Sequence, residues 1–219
     1  SGTDNVFLGT DTGLVNTGSS NVFLGNNAGK NATTGGNNVF LGTNTGQSNS
    51  GINNVFLGNN AGKNATSGDK NVFLGTNTGQ SNSGTDNVFL GTDTGLVNTG
   101  SSNVFLGNNA GKNATTGGNN VFLGTNTGQT NSGTDNVFLG TDTGLVNTGS
   151  SNVFLGNNAG KNATTGGNNV FLGTNTGQSN SGINNVFLGN NAGKNATSGD
   201  KNVFLGTNTG QSNSGTDNV

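Results

Sequence analysis

The sequence predicts an all-β fold, a parallel β-solenoid (β-roll) made of thirteen short coils, with no helices. All 13 Phe lie in the pentapeptide Asn-Val-Phe-Leu-Gly, and the numbers of successive Phe differ only ever by 16 or by 17. We count positions within a coil from its Phe, position 0. Gly then recurs at positions −5, +2 and +6, and Asn recurs at position −2. A fixed short period of this kind is typical of solenoid repeats.

The Val-Phe-Leu segment of each coil is predicted to be a strand. It is a short apolar run of strand-forming residues between turn residues. A helix is disfavoured because each interior Gly costs roughly 1 kcal/mol relative to Ala. Segments stacked about 4.8 Å apart can instead pair backbone to backbone, so thirteen coils predict a rod roughly 60 Å long.

The two coil lengths differ at one place. The 17-residue coils contain Asn-Ala-Thr-Thr or Asn-Ala-Thr-Ser after the +6 Gly, whereas the 16-residue coils are one residue shorter there. Surface loops tolerate such insertions. We therefore expect the longer coils to bulge at segments such as 31–34 and to leave the Phe column in register.

The array shows longer repeats as well. Residues 132–219 repeat 1–88 without a change, and no capping sequence is recognisable. Solenoids need polar caps over their open ends. We predict that 1–219 is a single uncapped repeat array, and we interpret it as a window of a longer repeat protein.

Composition excludes several classes of function. Charge is limited to 7 Lys and 9 Asp, for a net charge of −2, which does not suit binding of nucleic acid. No apolar run approaches the ~20 residues that span a bilayer, so no membrane insertion is expected. The chain lacks His, Cys, Glu and Arg. We therefore expect no catalytic residues, no metal site, no cofactor and no enzymatic activity.

Alternation along the strand places Val and Leu on one face and Phe on the other. We predict that Val and Leu fill the coil core, as at Val6, Leu8, Val22, Leu24, Val39 and Leu41. Phe would then form an outward ladder for self-association, since so long an apolar stripe is costly in water. Its members are Phe7, Phe23, Phe40, Phe56, Phe73, Phe89, Phe105, Phe122, Phe138, Phe154, Phe171, Phe187 and Phe204. In the alternative arrangement, Phe points inward and loops cover Val and Leu.

The Asn at position −2 is predicted to form a second ladder. Stacked Asn side chains can hydrogen-bond amide to amide along a series of parallel strands. The first five members are Asn5, Asn21, Asn38, Asn54 and Asn71.

The motif Asn-Val-Phe-Leu-Gly-x-x-[Ala/Thr]-Gly resembles the head repeats of trimeric autotransporter adhesins, which carry an Asn-Ser-Val-Ala-Ile-Gly pattern. It is also similar to Asn-Thr-Ala-x-Gly repeats of phage tail fibres and large bacterial surface proteins. The resemblance implies a left-handed parallel β-roll, a homotrimer, and an adhesive or structural role at a bacterial or phage surface. It also implies that the Phe position faces neighbouring chains.

These observations predict a structural, self-associating extracellular fibre or adhesin stalk, located on a bacterial cell surface or in a virion tail fibre. Its partners would be further copies of itself, as a homotrimer or fibre bundle, and a surface receptor or matrix. The alternative is a subunit of a functional amyloid-like filament, whose Asn-rich repeats suit cross-β ladders.

Two further motifs carry alternatives. An ice- or carbohydrate-binding solenoid would use the Thr-x-Thr segments that begin at Thr10 and Thr43. Five Asn-Ala-Thr segments match the N-glycosylation pattern, although a chain rich in Asn and Thr produces such matches by composition alone. Their Asn residues are Asn31, Asn64, Asn113, Asn162 and Asn195.

Overall fold

The computed structural model describes residues 2–219, which fold as a parallel β-solenoid of short strands joined by turns. No helix lies within the described residues, and so none is long and apolar enough to cross a bilayer. The chain forms two compact units, one extending to Asn109 and the other covering Ala110–Val219.

Each unit contains one three-residue strand per coil and a few two-residue strands. The strands of the first unit are β1 (Val6–Leu8), β2 (Val22–Leu24), β3 (Val39–Leu41), β4 (Val55–Leu57), β5 (Val72–Leu74), β6 (Ser81–Asn82), β7 (Val88–Leu90), β8 (Val97–Asn98) and β9 (Val104–Leu106). Those of the second are β10 (Val121–Leu123), β11 (Thr130–Asn131), β12 (Val137–Leu139), β13 (Val146–Asn147), β14 (Val153–Leu155), β15 (Val170–Leu172), β16 (Val186–Leu188) and β17 (Val203–Leu205).

The three-residue strands pair in parallel and in register. In the first unit the sheet order is β1-β2-β3-β4-β5-β7-β9, and in the second it is β10-β12-β14-β15-β16-β17. Each Phe lies opposite the Phe of the next coil, as Phe7 does opposite Phe23. The predicted all-β solenoid, its strands and its register are therefore confirmed.

The extra residue of the longer coils does not disturb this register. The step from Phe23 to Phe40 crosses a longer coil and the step from Phe40 to Phe56 a shorter one, yet both pairs are directly opposite. The additional residue lies in the exposed, non-strand segment near Thr33 and Thr34. The predicted position of the loop is confirmed.

The two-residue strands were not predicted. They form the parallel pairs β6–β8 and β11–β13, each of which joins two successive 16-residue coils. In the other described pairs of coils, a 17-residue coil alternates with a 16-residue one and no second sheet forms. The N–H at +8 donates to the carbonyl at +7 of the next coil whether the two coils are equal, as from Ser81 to Leu96, or unequal, as from Asn31 to Gln47. Beyond this bond the extra residue shifts the partner: Ser83 donates to position +9 of a coil of equal length, whereas Ser50 donates to position +10 of a longer coil. The described pairs therefore form the second ladder only between coils of equal length.

The interior of each coil is built from four side chains. They are Asn at −2, Phe at 0, Thr or Ala at +5, and Asn or Ala at +9, and apart from the first and last coils they are buried. Eleven Phe are 0% exposed. The Val and Leu on either side of each Phe point outward and are half-buried in the coils between the first and the last.

The predicted orientation of the strand is therefore wrong. Val6, Leu8, Val22, Leu24, Val39 and Leu41 lie on the outer face, and Val6 and Leu8 are 55% and 68% exposed. The outward Phe ladder does not exist. Its predicted members Phe7, Phe23, Phe40, Phe56, Phe73, Phe89, Phe105, Phe122, Phe138, Phe154, Phe171, Phe187 and Phe204 point into the coil, and only the ring of Phe7 is substantially exposed, at 39%.

The Gly at +6 explains why the larger side chain is inside. A Cβ added to Gly29 would lie 2.4 Å from the ring of Phe23, so that the ring packs directly on the backbone of the opposite wall. Gly29 also has a φ of +60°, a region that L side chains rarely adopt. If Val and Leu pointed inward instead, the space between the strand and this Gly would not be filled. The single Phe ring fills that space. Burial of each Phe is worth about 1.5–3 kcal/mol.

Candidate functional site

The outward Val and Leu of the three-residue strands form an apolar surface along each unit. We call these two columns the Val/Leu face. In the first unit it comprises the first and third residues of β1–β5, β7 and β9, and in the second those of β10, β12 and β14–β17. Because the strands are in register, Val follows Val and Leu follows Leu along each unit.

A continuous stack of aromatic rings lies directly behind the Val/Leu face. In the first unit, the centroids of Phe40 and Phe56 are 4.9 Å apart and those of Phe56 and Phe73 are 4.6 Å apart. The ring planes of these pairs differ by 8° and 4°. The second unit repeats the pattern, with 4.7 Å between Phe154 and Phe171. Such stacking adds roughly 0.5–1.5 kcal/mol per pair to the burial of the rings and fixes the spacing of the face.

The predicted Asn ladder at position −2 is present beside the Phe stack. The backbone N–H of Asn38 donates to Oδ1 of Asn21 at 2.9 Å, and Nδ2 of Asn38 donates to the carbonyl of Gly51 at 2.9 Å. Amide-to-amide contacts are longer, as between Nδ2 of Asn71 and Oδ1 of Asn54 at 3.2 Å. Each side chain therefore joins two coils mainly through backbone groups, which leaves these buried polar atoms satisfied.

A second Asn ladder, at position +4, was not predicted. Asn27 donates to Asn44, Asn44 to Asn60, and Asn60 to Asn77, each through Nδ2 to Oδ1 at 3.1 Å. The series ends at Asp93, whose Oδ1 accepts from Asn77 at 2.9 Å. Position +4 is Asn or Asp in every coil. That restriction was visible in the sequence and could have identified this ladder.

The Thr residues at +5 form a third set of contacts between coils. Oγ1 of Thr45 donates to the carbonyl of Gly58 at 2.7 Å, and Thr176 bonds Gly189 in the same way at 2.8 Å. Thr45 is completely buried. The Thr-x-Thr segments therefore do not present two ranks of hydroxyls to solvent, and the predicted ice- or carbohydrate-binding array is wrong.

Ion pairs between Lys and Asp flank the +4 ladder. Nζ of Lys30 lies 2.9 Å from Oδ2 of Asp11, and Nζ of Lys161 lies 3.1 Å from Oδ2 of Asp142. In each pair, Lys belongs to the coil after that of Asp. Hydrogen bonding from Asn126, followed by the bond and the charge of Lys161, lowers the pKa of Asp142 although burial opposes this shift. The carboxylate is thus held in its charged form.

Three comparisons give no match to the chain: models of protein families, curated proteins, and solved structures. Side chains that could bind a metal ion are also not gathered in one place. Within residues 2–219, no cluster of three or more His, Cys, Asp or Glu side chains could hold a metal ion. The recurring features of the units are the Val/Leu face and the ladders that support it.

Proposed function

We propose that this chain is a structural, non-enzymatic repeat element of a fibre or stalk, which associates with further copies of itself. The observation that carries this proposal is the uniformity of the coils. Phe stacks on Phe and Asn on Asn at every described step within each unit, and no coil carries a distinct set of reactive groups. A solenoid whose neighbouring coils repeat the same contacts is suited to bearing load along its axis.

We further propose that the fibre belongs to a bacterial or phage surface, as an adhesin stalk or a tail-fibre segment, where it meets a receptor or matrix. The Asn-Val-Phe-Leu-Gly motif supports this location through its resemblance to trimeric autotransporter adhesins. Hydrogen bonds in the interior of each unit join neighbouring coils, as a stalk requires. A homotrimer and a bundle of fibres are both compatible with such a stalk.

The Val/Leu face is the proposed contact between copies, in place of Phe. A three-residue strand in a stack of 4.8 Å spacing covers about 50 Å² per coil. Seven coils of one unit therefore offer roughly 350 Å², the size at which apolar patches on monomers are often functional. Contact between one such face and its counterpart in a second copy would bury about 700 Å² in all, which is in the range of weak interfaces. The net charge of −2 opposes this association only weakly.

The test is the mass of the chain in solution over a wide range of concentration, measured by sedimentation or light scattering. We expect a discrete oligomer at high concentration. Because the surface buried between two Val/Leu faces is small, this oligomer should dissociate on dilution. Changing Val39, Val55 and Val72 to Thr should weaken association, because each change makes the face polar at constant shape. Val97→Thr and Val146→Thr are matched controls, since both valines are exposed outside the face.

Two results would overturn the proposed contact: a monomer at every concentration, or an oligomer that is unaffected by the three changes on the face. Unfolding by the Val→Thr changes would show as a loss of the β-sheet circular dichroism signal. Val55→Ile retains an apolar face and should preserve both the fold and the oligomer.

A filament of the amyloid type is the second candidate function. Phe rings stacked in register at 4.6–5.0 Å and ladders of Asn amides are features of cross-β stacks, here built within one chain. Growth without limit as the concentration rises, accompanied by binding of an amyloid dye, would favour this candidate. A closed oligomer of fixed mass would favour the stalk.

A further inference from the structure

The five Asn-Ala-Thr segments all lie in 17-residue coils and share one geometry. Asn at +8 and Thr at +10 are exposed in each of them, whereas the intervening Ala at +9 is buried. For example, Ala32 is 1% exposed between an exposed Asn31 and an exposed Thr33. Alternation thus places the amide and the hydroxyl of the motif on the same outer surface.

The Asn side chains of these segments differ from the ladder Asn. Within residues 2–219, the side-chain amides of Asn31 and Asn64 make no hydrogen bond, and neither do the hydroxyls of Thr33 and Thr66. Their attachment to the fold is through the backbone: the N–H of Asn31 donates to Gln47 at 2.6 Å. A substituent on the amide would therefore break no contact that holds the coils together.

The segments also lie away from the Val/Leu face. Gly at +6 contacts the Phe ring across the interior of the coil, as Gly62 does with Phe56. The Asn at +8 follows two residues later, on the wall opposite the strand. Asn31 and Asn64 are two coils apart, as are Asn162 and Asn195, so about 9.6 Å of the stack separates the two acceptors of each of these pairs.

We propose that Asn31, Asn64, Asn113, Asn162 and Asn195 are acceptors for N-linked sugars, a proposal that rests on the surface location proposed above. The co-reactant is a sugar activated as a diphosphate ester, and a glycosyltransferase supplies the catalysis. The amide nitrogen attacks the anomeric carbon and forms a C–N bond. The C–O bond to the diphosphate breaks, the diphosphate leaves, and the amide loses one proton. Sugars would then coat the wall opposite the Val/Leu face.

The experiment compares the folded chain with the chemically unfolded chain as acceptors. In one arm, a soluble N-glycosyltransferase is supplied with a nucleotide diphosphate sugar. In the other arm, a membrane oligosaccharyltransferase is supplied with a lipid-linked diphosphate oligosaccharide. Intact mass and peptide mapping report which Asn carries a sugar. We expect at least one arm to modify the folded chain at the five motif Asn and at no ladder Asn.

Variants locate the acceptors. Thr33→Ala and Thr66→Ala should each remove one of the five additions, because the hydroxyl of the motif is lost. Thr34→Ala is the matched control, since Thr34 is exposed in the same coil as Asn31 but lies outside the motif, and all five additions should remain. The proposal is overturned if neither arm modifies the folded chain, or if sugars appear at other Asn. Solution mass of the unmodified chain tests the stalk separately, so the two proposals fail independently.

Discussion

Asn126 and Asp142 form the end of one run of the +4 ladder. Nδ2 of Asn126 donates to Oδ1 of Asp142 at 2.9 Å, and the other carboxylate oxygen lies 3.1 Å from Nζ of Lys161. A carboxylate has no hydrogen to donate, so the series of amide donors stops there. A new run begins at Asn158, whose Nδ2 donates to Asn175. Asp at +4 therefore separates successive runs of amides.

The charged form of Asp142 should stabilise the fold at neutral pH. Its folded-state pKa is lowered from 3.8, first by the hydrogen bond from Asn126. A lowered pKa gives stability that is fully present above the unfolded pKa and is lost as pH falls through the folded one. Because the side chain is 26% exposed, the contribution should be at most about 1 kcal/mol.

Denaturant unfolding of the wild type and of Asp142→Asn, from neutral pH to about pH 3, tests this. The wild type should lose more stability on acidification than the variant, which carries no titrating group at this position. Lys161→Gln should show an intermediate loss, since it removes the ion pair but keeps the bond from Asn126. Identical acid profiles for the wild type and Asp142→Asn would show that Asp142 contributes nothing.

Phe56 should be a core residue rather than a contact between copies. Truncation to Ala should destabilise the fold by about 3–5 kcal/mol and release no soluble monomeric rods. Val55→Ala, on the outer face, should cost less because Val55 is only half-buried. Thermal and denaturant unfolding compare the two. A larger loss at Val55 than at Phe56 would contradict the inward orientation.

The contact between Phe56 and Gly62 gives a sharper test. A Cβ on Gly62 would lie 2.4 Å from the ring, and the φ of +59° adds backbone strain. Gly62→Ala should therefore be destabilising, and Phe56→Leu should relieve part of that loss by shortening the side chain. The double variant should be more stable than the sum of the single changes predicts, by roughly 0.5–3 kcal/mol. Additive losses would mean that the two residues do not meet.

The sequence was sufficient for the coils, the strands, the register and the loop because each depends on periodicity. Thirteen Phe with spacings of 16 or 17 leave one in-register arrangement. The orientation of the strand could not be decided in this way, since Val-Phe-Leu is apolar on both faces. It depends on what lies across the coil, and the Gly at +6, on the wall opposite Phe, decides it. The +4 ladder was not predicted, although position +4 is Asn or Asp in every coil.

Removal of Asn54 from the buried −2 ladder should cost more stability than removal of an Asn from the +4 ladder. Asn54 is 0% exposed, donates to Gly68 at 2.9 Å, and accepts the backbone N–H of Asn71 at 2.9 Å. Asn54→Ala leaves both groups buried without this partner, at about 1–3 kcal/mol for each. Asn60→Gly, in the half-exposed +4 ladder, keeps its left-handed backbone and should cost less. Equal losses for both variants in denaturant unfolding would contradict a special role of the buried ladder.

The loop of the 17-residue coils should accept shortening. Deletion of Thr34, at an exposed, non-strand position, gives the second coil the same length as its two neighbours. The Phe column should keep its register, and the loss of stability should not exceed about 1 kcal/mol. Three coils of equal length would then follow one another. Two-residue strands like β6 and β8 should therefore form at positions +8 and +9, detectable as slower hydrogen exchange of the amides near Asn31.

Deletion of Asn26 is the matched control for this change. It shortens the same coil by one residue, but on the strand side of the +6 Gly. In the native fold Ala28 is completely buried and Gly29 contacts the ring of Phe23. The deletion shifts both residues by one position, which moves Ala28 out of the interior and Gly29 away from the ring. We expect it to unfold at least the neighbouring coils, seen as lost circular dichroism and fast hydrogen exchange. If the two deletions are tolerated equally well, the placement of the flexible position after the +6 Gly is wrong.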